Sequence, residues 1–341
     1  MRQQSLGKRD KVAMWADRLG LTGLLGALPK RDLLLVLNYH RIGDPDNTPY
    51  DPGVFSATPD ELDAQIAFLK KQTRLVTLND VMEAADNRAP LHGPCALITF
   101  DDGYLDNYGL AFPVLRSHGV QGVFFLPTSY VGTGKLPWWD AIAYVVKHSI
   151  PRHFALSYPS RAEFDLNKEP LEDILRRILA MYKQPGVRGE ALIADLERAC
   201  RAQLPREDAL RCFLNWDEAR RMLREGMAFG AHTHRHELLS KLPVDDQYFE
   251  VVESRRILEQ NLGVPVQALA YPVGSRTSFS SDTVAMLKRA DYRVAFSFYG
   301  GLNRPSSLNR FDIRRLGVDR QIPARFRWQT VVSTVTARYW P

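Results

Sequence analysis

The sequence predicts an α/β fold built on parallel strands, and three observations carry that expectation. Short apolar runs alternate with helical segments along most of the chain, the order of a parallel sheet or barrel rather than a sandwich. Some runs are apolar throughout, such as Leu33 to Leu37 (LLLVL) and Gly122 to Leu126 (GVFFL), as strands covered on both faces require. Chemistry-bearing residues follow directly on these runs, where α/β sheets and barrels place their sites.

Composition narrows the class. The 341 residues are 45% hydrophobic and 25% charged, with 22 Gly and 21 Pro, a globular balance that excludes disordered, collagen-like and coiled-coil chains. Lys+Arg 45 against Asp+Glu 39 leaves a net charge of +6, spread along the chain. Nucleic acid is therefore not expected as a partner, whereas an anionic membrane face or acidic polymer is compatible. Cys95, Cys200 and Cys212 are widely spaced and lack a CxxC pair, so neither a disulfide framework nor a cysteine zinc site is expected. No run approaches the roughly 20 apolar residues of a membrane-spanning helix. The opening MRQQSLGKRDKVAMWADRLG has neither the apolar stretch nor the cleavage site of a secretory signal, so the expected location is cytoplasmic. Its basic, amphipathic character and the ending RFRWQTVVSTVTARYWP permit peripheral attachment to the inner membrane face.

In chain order, Val12, Trp15, Leu19, Leu24, Leu25 and Leu28 recur at spacings of three to five. They predict an amphipathic helical segment over residues 1–30, broken near Gly20 and ended before Pro29. Such a stripe more often docks on a domain than lies on a membrane. The strand 33–37 delivers Asn38, Tyr39, His40 and Arg41 to its carboxyl end. After a Pro/Gly-rich loop over 42–58, Thr58 to Lys71 reads as a helix with Thr58 as N-cap, Pro59 at N1 and acids in its first turn. Cys95 to Phe100 is the next strand, followed by a helix over 107–118 and the strand 122–126. Helices near 139–148, 170–183 and 189–202 then precede a helix over 217–225 and a strand over 227–231. Residues 246–262, a strand over 267–271, a helix over 281–290 and a strand over 292–298 continue the alternation. The interval of about 138–215 is mostly helical and longer than one crossover needs, so it reads as an insertion in a domain spanning 31–325, with 326–341 as a tail.

Two clusters carry chemistry. His232, His234 and His236 fall within five residues in FGAHTHRH. On a tight loop or helix start, His232 and His236 can converge on one ion through neutral imidazole nitrogens, although a polar surface run or an adventitious metal site fits the same spacing. In Thr99-Phe100-Asp101-Asp102-Gly103-Tyr104, two carboxylates follow an apolar strand, where an ordinary turn or N-cap is the alternative. Together they make a set: one carboxylate and two imidazoles supply three protein ligands and leave an open position, as hydrolytic zinc sites require. The second carboxylate then serves as a base. A glycosidase pair of carboxylates needs no histidine ligands, so the histidines favour the metal reading.

TFDDG at 99–103, the H-[ST]-x-x-H run at 232–236 and Ala270-Tyr271-Pro272-Val273-Gly274 resemble, in order, the motifs of the polysaccharide deacetylases (NodB homology domain, carbohydrate esterase family 4). The resemblance covers about 33–320. It implies a distorted (β/α) barrel with the metal at the strand carboxyl ends, Asp101 as catalytic base, and Asp102, His232 and His236 as ligands. Zinc is the implied ion, with cobalt or nickel suited to similar ligands. Two departures accompany it. Ala270 stands where the family often carries an arginine orienting the base, and no histidine follows His236 to supply the usual acid. The run Asn38-Tyr39-His40-Arg41 resembles the opening motif of the poly-N-acetylglucosamine deacetylase branch, which makes His40 the candidate acid, with loop capping as its structural alternative. Arg314 or Arg315 is the candidate replacement for the orienting arginine.

The implied reaction is metal-dependent hydrolysis of N-acetyl groups on an amino-sugar polysaccharide or lipid-linked glycan precursor, in surface polysaccharide assembly. Tyr104, Trp139, Tyr271 and Pro272 are the candidate substrate-binding residues, with aromatic rings stacking on sugar. The alternatives are a carbohydrate-binding pseudoenzyme and a deacylase acting on a small non-sugar amide.

Overall fold

The computed structural model describes residues 7–46, 48–207, 211–318 and 322–338. The strands are β1 (Leu33–Tyr39), β2 (Arg41–Ile42), β3 (Phe55–Ala57), β4 (Arg74–Leu75), β5 (Pro94–Asp101), β6 (Gly122–Leu126), β7 (His153–Leu156), β8 (Ala162–Asp165), β9 (Ala228–Ala231), β10 (Ala268–Ala270), β11 (Val294–Ser297), β12 (Ile313–Arg314) and β13 (Leu316–Gly317). The α-helices are α1 (Lys8–Arg18), α2 (Leu21–Gly26), α3 (Pro59–Gln72), α4 (Leu78–Ala85), α5 (Phe112–Ser117), α6 (Trp138–Lys147), α7 (Leu171–Tyr182), α8 (Gly189–Cys200), α9 (Trp216–Arg224), α10 (Val244–Leu262), α11 (Ser281–Arg289) and α12 (Pro323–Thr336).

Among the described residues, one sheet runs in the order β12-β11-β10-β9-β6-β5-β1-β13, with β4 added on β5. Its pairings are all parallel. The two ends of this order, β12 and β13, are separated by the single residue Arg315. One residue spans at most about 3.6 Å, so the sheet's two edges must curl together. The result is the nearly closed (β/α) barrel that the resemblance implies.

Strand alternation assigns the two faces. Leu33, Leu35, Leu37 and Tyr39 of β1 join Ile98 and Phe100 of β5 and Phe124 of β6 in the larger apolar cluster. Leu34, Val36, Leu97, Val123, Phe125, Ala270 and Phe296 form the other. Continuing the second set toward the carboxyl ends gives Asn38, Thr99 and Asp101, all buried. The last layer on that face is therefore polar.

Local signals act as expected. Gly20 adopts φ 72°, which breaks the N-terminal segment into α1 and α2. Thr58 caps α3, accepting from the Glu61 N–H while Glu61 returns a bond to the Thr58 N–H. The helix expected over 107–118 opens as a π-helical turn, Asn107–Ala111, before α5. The segment expected as a tail is helical through Thr336, and α12 buries Phe326, Thr330, Val331 and Thr334. Cys95, Cys200 and Cys212 are all buried.

By packing, residues within 1–43, 55–131 and 214–341 form one compact unit, and those within 44–54 and 132–213 form a second. The second holds α6, α7, α8 and the antiparallel pair β7–β8. Its core includes Trp138 stacked on Tyr182 at 4.2 Å and Phe154 on Phe164 at 5.2 Å. No helix among the described residues is long and apolar enough to cross a membrane.

Candidate active site

The site is assembled from chain segments that leave the sheet at carboxyl ends. β5 ends in Asp101, and Asp102 and Gly103 turn the chain with φ of 70° and 69°. A Cβ on Gly103 would meet Leu126 Cδ2 at 2.4 Å, so the positive φ favours glycine there and a larger residue would have to displace the Leu126 side chain. β9 ends at Ala231, after which Thr233 and His236 take φ of 63° and 58°. This loop, not a helix, bends the two histidines toward one point. Backbone strain of this kind in non-glycine residues gathers at functional sites.

Asp102, His232 and His236 converge, with one ligand atom from each lying within 4.8 Å of the others. The two imidazole Nε2 atoms are 3.1 Å apart. Asp102 Oδ1 lies 3.3 Å from His236 Nε2 and 3.6 Å from His232 Nε2. Ligand atoms 2.0 to 2.1 Å from a tetrahedral zinc stand roughly 3.3 Å from one another, so the spacing fits one small cation. The donor chemistry fits as well. His232 Nδ1 donates to the Ala270 carbonyl oxygen at 2.7 Å, which leaves the Nε2 lone pair facing its neighbours. Burial pushes the His232 imidazole down to about 4, so the ring is neutral near pH 7, as a ligand must be. Asp102 Oδ1 is buried without a hydrogen bond among the described residues, an orphaned acceptor that a cation would satisfy.

His234 turns elsewhere: its Nδ1 meets Thr128 Oγ1 at 2.9 Å and its N–H donates to Glu250. Glu250, fully buried on α10, also accepts from the Arg235 N–H and Nε. One carboxylate thus ties down the middle of the histidine loop.

Asp101 stands beside this cluster, with Oδ2 3.8 Å from His232 Nε2. Arg315, itself fully buried, grips it with two hydrogen bonds, Nη1 to Oδ1 at 2.7 Å and Nη2 to Oδ2 at 2.8 Å. Arg315 Nε also donates to the Ser297 carbonyl and Nη1 to Asn38 Oδ1, while Asn38 Nδ2 donates to Asp101 Oδ2. Burial alone pushes the Asp101 carboxyl up, but the Arg315 guanidinium, aided by His232 and His40, outweighs it and holds the group far below the carboxylate range. Of the two arginines named from the sequence, Arg315 makes this contact. The Arg314 guanidinium instead lies over the Tyr299 ring at 5.6 Å.

His40 follows β1, its Nε2 4.0 Å from Asp101 Oδ2 and its side chain 23% exposed. Its N–H donates to Ser56 Oγ and its carbonyl accepts from Asn107 Nδ2. Asp106 accepts from the Ile42 N–H and Arg41 Nε, holding the adjoining turn.

The four residues expected to bind substrate are all buried in this structure. Tyr104 is 0% exposed under the Arg41 guanidinium, and Tyr271 is 1% exposed, stacked on Phe279 at 4.0 Å with its hydroxyl donating to the Phe311 carbonyl. Pro272 is buried as well. Trp139 lies in the second unit, buried and packed edge-on against Trp138 at 5.2 Å. These rings pack against neighbouring side chains in the interior.

Sequence reasoning passed over Asn38, Ser297, Asp106, Asn107 and Glu250 as site supports. Glu250 had a signal: it shares the stripe Gln247, Val251, Ser254 and Leu258 that α10 buries, and an acid on such a stripe needs a partner.

Comparison with known proteins shows the family and the fold. The family model described as polysaccharide deacetylase matches residues 88–295, more than half of the chain. YxkH of Bacillus subtilis (strain 168), itself placed among polysaccharide deacetylases, is 50% identical over 38 residues, 11% of this chain and 14% of that protein. The matched stretch thus spans a small part of that relative's length. Among solved structures, IcaB from Ammonifex degensii aligns with a TM-score of 0.58 at 18% identity, covering 90% of this chain and 99% of that one. The Streptococcus pyogenes deacetylase PplD, in complex with acetate, aligns at 0.56 and 16% identity, covering 89% and 99%. At these identities the likeness is one of fold.

Proposed function

The chain belongs to the polysaccharide deacetylase family, and from that premise we propose that it hydrolyses N-acetyl groups on an amino-sugar polysaccharide or lipid-linked glycan precursor in surface polysaccharide assembly. The observation that carries the reading is the pairing of a three-ligand cluster, Asp102, His232 and His236, with a neighbouring carboxylate, Asp101, held ionised outside it.

A divalent cation at that cluster, zinc being the first choice, supplies Lewis acidity toward the amide carbonyl and a nucleophilic water near neutral pH. Asp101 accepts the proton of the attacking water. Arg315 and Asn38 fix both carboxylate oxygens, which limits the basicity of Asp101 but keeps it charged and aimed. His40, partly exposed across from Asp101, donates a proton to the departing sugar nitrogen. The amide C–N bond breaks, a C–O bond forms from water, and acetate and a free amino sugar leave.

Support for a working hydrolase over a carbohydrate-binding pseudoenzyme comes from Arg315. It contacts the proposed base from the strand closure, although Ala270 occupies the motif position where the orienting arginine is usual. The test is acetate release from metal-loaded protein incubated with acetylated glycans, lipid-linked sugars and small amides. Release from the sugars, lost in Asp101→Asn, is the expected result. Release from small amides alone would replace the substrate class, and no release from any would leave the pseudoenzyme.

A further inference from the structure

The N-terminal hairpin buries its small residues and exposes its large apolar ones. α1 and α2 pack on α12 through Ala13, Ala16 and Thr22. The solvent-facing side carries Val12 and Trp15 of α1 with Leu19 just after it, and Leu21 and Leu24 of α2 with Leu28 just after it, each set spaced i, i+3, i+7. Trp15 is 67% and Leu24 69% exposed, and the other four lie between 42% and 60%. A helix held to its domain by hydrophobic burial would put those side chains inward and the alanines outward. Here the inward side is supplemented by ion pairs: Arg325 reaches Asp10 and Arg327 reaches Asp17.

Those two pairs also decide the charge of the outward side. Asp10 and Asp17 are the sole acids between residues 7 and 31, and both are engaged by α12. Lys8, Arg9, Lys11, Arg18 and Arg31 remain exposed around the apolar ridge. A ridge of leucine and tryptophan flanked by exposed cations complements an anionic lipid interface, where apolar side chains enter the acyl boundary and cations meet the headgroups.

We propose that the α1–α2 hairpin is a docking surface for an anionic bilayer, inserting Trp15, Leu19, Leu24 and their neighbours while Lys8, Arg9, Lys11 and Arg18 contact lipid phosphates. The described part of the ending, read from the sequence as also permitting attachment, forms α12, against which the hairpin rests with Arg325 and Arg327 turned to Asp10 and Asp17. The inference stands apart from the catalytic reading, since none of these residues belongs to the active site.

The test uses the full chain and flotation with vesicles of phosphatidylcholine alone or mixed equally with phosphatidylglycerol. Binding to the mixed vesicles, weakened as salt rises and screening shortens, is the expected outcome. Trp15→Ala combined with Leu24→Ala lowers the partition coefficient by about tenfold or more. Each exposed cation replaced by Gln lowers it roughly fivefold. Ile150→Ala, at a comparably exposed apolar side chain in the other unit, leaves it unchanged. Unaltered acetate release from a soluble substrate and an unaltered thermal midpoint show that the variants are folded.

Equal binding to neutral and anionic vesicles, or binding indifferent to the Trp15 and Leu24 changes, overturns the proposal. So does a dimer in sedimentation that those changes dissociate while wild-type protein ignores vesicles, since the ridge would then face a second copy of the chain.

Discussion

At the carboxyl ends of the barrel strands, Asp101, Asp102, His232, His236 and Arg315 are all buried, between 0% and 6% exposed; on the N-terminal hairpin, six large apolar side chains are left in solvent. Each region reverses the usual partition of polar outside and apolar inside, and each reversal has its own physical footing. Inside the barrel Asp101, Arg315 and His232 tolerate burial because they are satisfied, whereas Asp102 Oδ1 is left for a cation: Arg315 is neutralised by Asp101, Asn38 bridges the two, and His232 leans on the Ala270 carbonyl. The hairpin tolerates exposure because α1 and α2 are held from behind by small-residue packing and by Arg325 and Arg327. In the first region a substitution removes half of a satisfied pair. In the second it removes a side chain that touches little.

That difference predicts a graded series of effects. The largest belongs to Asp101→Asn, which lowers the turnover of an acetylated glycan by about a hundred- to ten-thousand-fold. Its bound metal, measured by elemental analysis, stays near the wild-type level because Asp101 lies outside the ligand cluster. Asp102→Ala shows the complementary pattern: metal content itself collapses and activity falls with it. If both variants lost metal alike, the division of labour between the adjacent carboxylates would be wrong.

Next is Arg315→Met, which leaves Asp101 buried without its countercharge and costs about 3 to 5 kcal/mol of stability in chemical denaturation. Arg315→Lys rescues little, since an ammonium cannot reproduce the two parallel bonds. The pair also has a pH signature in metal-free protein. The Asp101 carboxyl is depressed below its ordinary value of 3.8 in the folded state, so its contribution is fully present above that value. It is lost as pH falls below it toward the lower folded value. The Arg315→Met variant lacks this loss, and matching acid profiles for the two proteins would contradict the assignment.

The smallest effect closes the series. Trp15→Ala or Leu24→Ala changes unfolding free energy by no more than about 0.5 kcal/mol, despite removing large apolar side chains. A cost near that of a core truncation would show that the ridge is covered within the chain.

Much of this was legible in the chain's own order of residues. The apolar runs 33–37 and 122–126 became β1 and β6 because a run without polar residues suits a strand covered on both sides. The cap at Thr58 and the break at Gly20 are local events, decided by residues a turn apart. The candidate ligand cluster was readable because two spacings, adjacent aspartates and histidines four apart, each place their donors within one short loop. The burial of the aromatic candidates was not legible in the same way. Tyr104, Tyr271 and Trp139 sit in motifs or beside loops where a sugar platform is plausible, yet ring exposure depends on what packs over the ring. Those covers, Arg41, Phe279 and Trp138, carry no mark of it in the sequence. The segment 153–165 passed unread because β7 and β8 are four residues each, too short to show a period.

The sequence by itself determined which chemical groups are present, which strand ends deliver them and where helices begin, since these follow from side-chain type and from neighbours within a few positions. Tertiary structure decided which arginine serves Asp101, because Arg315 falls at the one-residue junction between β12 and β13 and so points into the closed barrel. It also decided that the hairpin's leucines and tryptophan face outward, because α12 offers Arg325 and Arg327 to the side that carries Asp10 and Asp17. Both outcomes turn on partners about 200 to 300 residues away, as in the Arg315–Asp101 separation of 214 and the Arg325–Asp10 separation of 315, and no local pattern records which distant surface a helix or strand will meet.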